Sequence, residues 1–282
     1  MNAWLATLPF FAGHVCADEP PPAAEPLPQY LSYEGIAVDI DDGRVVYRES
    51  HYLVQQGSQV LERLVLYRCA DGAPFARKRV AAQGPSPWLP VFDMTDARLG
   101  YREGASLRDD VFQVFVQEPG APEPEQEALA EVPADLVGDA GFDRFVVDHW
   151  SRLLAGETLH FHFLVPSRLG HLGFQLRRLG RERMDGHPVE VFRLALGGLL
   201  GLIVSGIDVA YAADSRILLR FEGLSNVRDP EGDNYVVRIE FPLATRRVER
   251  DASALEAARN LPLVSTCVAP HGSPTRSETR AR

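Results

Sequence analysis

A mainly β protein is predicted: one large curved antiparallel sheet, a half-barrel, with one apolar helix packed on its concave side. Three features carry this prediction. Runs of β-branched and aromatic residues recur with turn signals about every 8–12 residues, the spacing of antiparallel β proteins. One segment breaks that texture with apolar residues at helical spacing. The strand texture before and after this segment is alike, which argues for one sheet and not two domains.

The first meander is read at residues 33–40, 45–54, 60–67 and 75–80, with Asp41-Asp42-Gly43, Gly57 and Asp71-Gly72 supplying turn chemistry. In the third run Glu62, Leu64, Leu66 and Arg68 share one face, and Leu61, Arg63, Val65 and Tyr67 the other. Neither face is cleanly apolar, so both are expected to be partly covered. Residues 83–90 read as a Pro/Trp loop, 98–102 and 111–117 as strands, and the acidic, proline-bearing stretch 118–133 as a solvated loop. A helix follows at about 140–155, with Asp139 as its cap and Gly156 at its C-terminal end. Strands resume at 158–165, 172–179, 189–196, 207–213, 217–221 and 235–241, with Asp185-Gly186 as a hairpin turn and 229–234 as a long polar hairpin end.

The chain has 282 residues and a formal net charge of −10, with cations that are almost all Arg. A negative chain is a poor general nucleic-acid binder, since phosphate contacts require clustered Lys and Arg. No nucleic-acid partner is expected. The hydrophobic fraction of 45% suits an ordinary packed core. No Walker loop, dinucleotide fingerprint or Gly-x-Ser-x-Gly elbow is present, so no cofactor and no nucleophile are assigned.

Residues 1–17 read as a signal peptide: Trp4 to Val15 is apolar but too short to span a bilayer, and Val15-Cys16-Ala17 resembles a cleavage site. Residues 18–29 form a Pro-rich linker, 30–243 a single β domain, and 244–282 a C-terminal extension expected to be disordered after 268. The expected location is the periplasm. Removal of the leader leaves Cys69 and Cys267, which an oxidising compartment allows either to pair or to stay apart as a buried thiol and a free one.

The order of meander, helix and second meander resembles a group of uncharacterised exported proteobacterial proteins with a long antiparallel sheet curled into a half-barrel. The stretch 211–230, Tyr-Ala-Ala-Asp-Ser-Arg-Ile-Leu-Leu-Arg-Phe-Glu-Gly-Leu-Ser-Asn-Val-Arg-Asp-Pro, looks like their final hairpins, and the resemblance covers 30–243. The wider fold class is similar to that of the outer-membrane lipoprotein carriers. It implies a concave sheet face and covering helix enclosing an apolar cavity for acyl chains.

Four features are weighed as sites. Phe142, Phe145, Val146, Trp150, Leu153 and Leu154 form the apolar face of the helix, either as core or as one wall of a ligand cavity. Residues 197–206 are apolar and glycine-rich, a buried crossover or a mobile lid with Leu199 and Leu202 as ligand or peripheral membrane contacts. His160 and His162 share one strand face opposite Phe161 and Phe163; a His-x-His pair can supply two zinc ligands but needs a third, from His149, Asp148 or His171. Arg177, Arg178, Arg181 and Arg183 form either a solvated face or a contact for acidic groups.

The first expectation is therefore a periplasmic binding or carrier protein for an apolar ligand such as a lipid or acyl group, held by Phe142, Phe145, Val146, Trp150, Leu153, Leu199 and Leu202. The second is a structural or interaction protein of the cell envelope with a filled core. The third is a metal-dependent hydrolase around His160 and His162. Protein partners are not specified by the sequence.

Overall fold

The computed structural model describes residues 26–197 and 206–268. Residues 1–25, 198–205, with Leu199 and Leu202, and 269–282 lie outside the described residues. Strands β1 (Gln29–Asp39), β2 (Val45–Gln56), β3 (Gln59–Arg68), β4 (Pro74–Ser86), β5 (Leu89–Asp96), β6 (Tyr101–Arg108), β7 (Val111–Gln117) and β8 (Glu125–Ala128) form the first half. After β9 (Leu136–Val137) come the short helices α1 (Phe142–Asp148) and α2 (Trp150–Leu154). Strands β10 (Leu159–Val165), β11 (Gly170–Met184), β12 (His187–Leu196), β13 (Ile207–Ala212), β14 (Leu218–Arg228), β15 (Asn234–Glu240) and β16 (Arg247–Glu249) follow, then α3 (Ser253–Arg259).

These 16 strands make one open sheet, a half-barrel. Neighbours pair antiparallel apart from β9 with β10, which run parallel and make the sheet mixed. The order runs β8 to β1, then β15 down to β9, so β1 lies between β2 and β15 and the free edges are β8 and β9. β16 also pairs with β1, through Tyr30–Ser32. The two edges approach by side chains: Leu136 of β9 and Leu164 of β10 are fully buried among Val80, Leu89, Phe92, Phe112 and Val114.

Turn chemistry sets the hairpins. Asp185 and Gly186 both have positive φ, 47° and 83°, as a tight hairpin turn requires. Asp109 and Asp110 make the same kind of turn without glycine, at 48° and 61°, because a short side chain that bonds its own backbone tolerates that region.

Several expectations need correction. The segment 83–90 is not a loop: β4 runs to Ser86 and β5 starts at Leu89. Strand β5 alternates, but its Asp93 and Asp96 mask the pattern; they are paired with Arg102 and Arg98. The stretch 118–133 holds β8, whose residues Glu-Gln-Glu-Ala are all exposed, a charged edge that discourages further strand pairing. The helix is interrupted at His149, whose ring Nδ1 lies 2.9 Å from the Phe145 carbonyl that its own backbone N–H also binds. Asp139 does not cap it, because its carboxylate binds Lys78 instead. Leu154 is exposed, not part of the buried stripe.

The helical segment lies close against the β4–β5 turn. A Cβ at Gly141 would stand 2.1 Å from the Trp88 carbonyl oxygen, whereas one at Gly138 would make ordinary contacts, with Leu89 Cδ1 at 3.4 Å and the Trp88 carbonyl oxygen at 3.9 Å. Gly141→Ala is expected to lower stability by about 1–3 kcal/mol through overpacking against rigid backbone. Gly138→Ala should stay within about 1 kcal/mol of wild type. Urea midpoints of the two variants check this; equal midpoints would refute the close approach.

Both faces of β3 are covered. On the convex side Leu255 and Ala258 of α3 pack on Leu64 and Leu66. On the concave side Val65 and Tyr67 join Tyr47, Phe75 and Ile239 in the largest core cluster. The segment after α3 continues over β4, with Val264 N–H donating to the Pro74 carbonyl at 2.8 Å. It ends in a disulfide between Cys267 and Cys69, whose Cα atoms are 5.5 Å apart.

Candidate functional site

The concavity holds a cavity of about 360 Å³, within the range of small-molecule sites. Its walls differ in chemistry. Strands β10 to β14 contribute Phe163, Phe174, Leu194, Ile207, Val209, Leu218 and Phe221, a mainly apolar wall to which Tyr211, Ser225, Asn226 and Arg228 add polar groups. Strands β2 to β6 contribute Tyr47, Glu49, His51, Arg63, Tyr67, Lys78, Tyr101 and Glu103. The period of two explains the second set: Tyr47, Glu49 and His51 alternate along β2, as Arg63, Val65 and Tyr67 do along β3. Residues 139–143, at the start of the helical segment, roof the cavity between these walls.

Two ion pairs tie the roof to the polar wall. Arg63 donates to Asp143 through both Nη atoms at 3.3 Å, and Lys78 binds Asp139. Tyr211 adds a hydrogen bond to Asp143 at 2.8 Å from across the cavity. Lys78 is the only lysine of the chain. It is buried, and its ammonium lies 5.1 Å from the centre of the Phe92 ring. The Asp139 side chain is 54% accessible although protein surrounds it, because it opens onto the cavity. Burial opposes its ionisation, but Lys78 beside it prevails and holds the carboxyl below its usual range.

His51 stacks on Tyr33 with ring centres 4.3 Å apart, meets Phe241 edge-on, and bonds Glu49 Oε2 through Nε2 at 2.7 Å. Burial pushes its pKa down from 6.5, against the pull of Glu49. Because Glu49 accepts from Nε2–H, the neutral ring leaves a bare lone pair at Nδ1, and Nδ1 has no partner. The buried Tyr47 hydroxyl, near Ser225, likewise makes no hydrogen bond of ordinary geometry. Burial raises the phenols of Tyr47 and Tyr67 well above their usual range, so both are neutral. It also raises Glu103, which accepts a hydrogen bond from Tyr101 at 2.7 Å.

The depressed His51 pKa has a stability consequence. In the unfolded chain the ring takes a proton at about 6.5, while in the folded chain it resists protonation until lower pH. Stability should therefore fall as pH drops below about 6.5. His51→Gln, which keeps a donor for Glu49 but does not titrate, should flatten the change in urea midpoint between about pH 7.5 and 5.5. An unchanged slope in the variant would show that His51 is not the group responsible.

Of the residues read from the sequence, Phe142 lines the cavity. Phe145, Val146, Trp150 and Leu153 are buried beside it, packed with Leu159, Phe161, Leu176 and Phe192 between helix and sheet. His160 is exposed. His162 bonds Asp135 at 2.8 Å and sits edge-on to His171 at 4.9 Å. Among the described residues no three His, Cys, Asp or Glu side chains stand in a metal-holding arrangement. Of the four arginines weighed, Arg178 and Arg181 both bind Glu190, which is fully buried. The polar wall of β2 to β6 was not singled out from the sequence; the lone lysine was the signal available there.

No protein-family model matches the chain, and no curated protein matches its sequence significantly. Among solved structures it is similar to a β-barrel-like protein of the domain of unknown function DUF1849 from Brucella abortus, with 11% identity and a TM-score of 0.39, covering 80% of this chain and 100% of that one. It is similar to a DUF1329 family protein from Desulfovibrio piger at 11% identity and a TM-score of 0.27, covering 83% of this chain and 91% of that one. A putative outer membrane lipoprotein-sorting protein domain from Vibrio parahaemolyticus aligns at 8% identity and a TM-score of 0.25, over 82% of this chain and 91% of its own length.

Proposed function

We propose that the chain is a binding or carrier protein of the cell envelope that holds a small amphipathic molecule in its half-barrel. The observation that carries this reading is a cavity of about 360 Å³ with a mainly apolar wall on one side and a more polar one on the other. A cavity of that volume suits one acyl chain or one drug-sized molecule, with its apolar part against Phe163, Phe174 and Phe221. The Cys69–Cys267 disulfide supports an oxidising compartment, and the apolar N-terminal segment supports export.

The test pairs two measurements. Mass spectrometry of an organic extract of the native protein is expected to reveal a bound amphiphile, and an apolar fluorescent probe should bind the stripped protein. Leu218→Trp, which enlarges a part-buried residue of the apolar wall, should weaken the probe by roughly tenfold or more while the protein stays folded. An empty extract together with probe binding indifferent to Leu218→Trp would refute the proposal.

A further inference from the structure

The cations lining the cavity are already partnered. Arg63 is held by Asp143, Lys78 by Asp139, and Arg228 by Glu118 at 2.8 Å. Of the lining carboxylates, Glu49 makes no salt bridge to Lys or Arg among the described residues, its partner being His51, while Glu103 accepts from Tyr101 and has Lys78 and Arg228 nearby. Both are buried, at 6% and 7% exposure. Beside Glu49 on the same face of β2, His51 Nδ1, an acceptor, makes no hydrogen bond among the described residues, and the Tyr47 hydroxyl, which can accept, has Ser225 as its neighbour. A buried acceptor without a donor is unfavourable, so this wall favours a guest that donates to it. What is missing is a donor, and Glu49 is the lining carboxylate with no Lys or Arg bound to it among the described residues.

We propose, building on the binding reading above, that the cavity selects amphiphiles whose polar end is a protonated amine, placed against Tyr47, Glu49 and His51, and disfavours those ending in a carboxylate. An ammonium group supplies three donors and the compensating charge in one compact head. A carboxylate head brings only acceptors to a wall that already holds an excess of them, and its negative charge meets Glu49 in a medium of low dielectric. The cations that would have received it are held by the two aspartates of the roof.

The experiment is a competition series against the fluorescent probe with decylamine, decanol and decanoate, each below its micelle-forming concentration, in about 0.15 M salt to screen the general attraction of an acidic protein for cations. The expected order is decylamine tightest, decanol between, and decanoate weaker than decylamine by roughly tenfold or more. Glu49→Gln should bring the amine and carboxylate affinities together. Tyr47→Phe, which removes only the hydroxyl, should narrow the same gap and serves if Glu49→Gln fails to fold. Leu218→Trp should weaken all three. Decanoate binding as tightly as decylamine, with decanol still competing, overturns the head-group proposal and leaves the binding reading standing. A decylamine preference that survives Leu218→Trp places the attraction outside the cavity and also overturns it. No competition by any of the three overturns both.

Discussion

Replacing Cys267 by Ser is expected to lower the unfolding free energy by about 3–5 kcal/mol, the largest effect of any single substitution outside the core. The bridge spans 198 residues of sequence, and the chain-entropy cost of closing so long a loop in the unfolded state is roughly 5 kcal/mol. In the native state the bridge joins the end of β3 to the segment that follows α3, so it also secures the cover over Leu64 and Leu66. Without it, α3 is held chiefly by Leu255, Ala258 and the Arg259–Glu62 ion pair. Cys69→Ser and the double variant should match Cys267→Ser, since any of the three removes the same link. Urea midpoints with and without reductant measure the effect. A wild-type midpoint that reductant leaves in place would show that the bridge contributes nothing.

Trp150→Ala should cost about 3–5 kcal/mol without touching ligand binding. Trp150 is 4% exposed, edge-on to Phe192 at 5.3 Å and to Tyr211 at 6.2 Å, with the Arg216 guanidinium 5.7 Å from its ring. It lies outside the cavity wall, so truncation opens a new void in packed core and does not enlarge an existing space. The affinity of the folded variant for an apolar probe should therefore equal that of wild type. Leu218→Trp is expected to give the opposite pair of values, lost affinity with retained stability. A Trp150→Ala protein that folds well but no longer binds the probe would make α2 part of the site and contradict this division between core and cavity.

Much of the architecture was legible because it rests on local rules. Asp185-Gly186 gives a turn wherever positive φ is needed, and the stripe from Phe142 to Leu153 is apolar at helical spacing whatever it packs against. The strands missed were those whose pattern depends on side-chain partners outside the strand. In β5 the aspartates are compatible with a strand because Arg98 and Arg102 meet them. The missing cap has the same cause, since Asp139 is drawn to Lys78, which lies 61 residues away. The polar wall is harder still. Tyr47, Glu49 and His51 share a face, but a polar face that lines a cavity has the same alternation as one that faces solvent. Only the curvature of the sheet separates them, and curvature is not written in any short run of residues.

The seam between β1 and β15 has a kinetic consequence. Each half of the sheet, β1 to β8 and β9 to β15, is built mainly from pairings between strands adjacent in the chain, which close small loops and form quickly. The seam joins Ile36 to Glu240 and cannot form until nearly the whole domain is present. During synthesis, which delivers the N-terminal half first, the inner edge of β1 therefore stands open with its backbone donors and acceptors unpaired. Such an edge accepts any strand that reaches it, so the interval before β15 arrives is when the chain is most exposed to mispairing with another copy of itself.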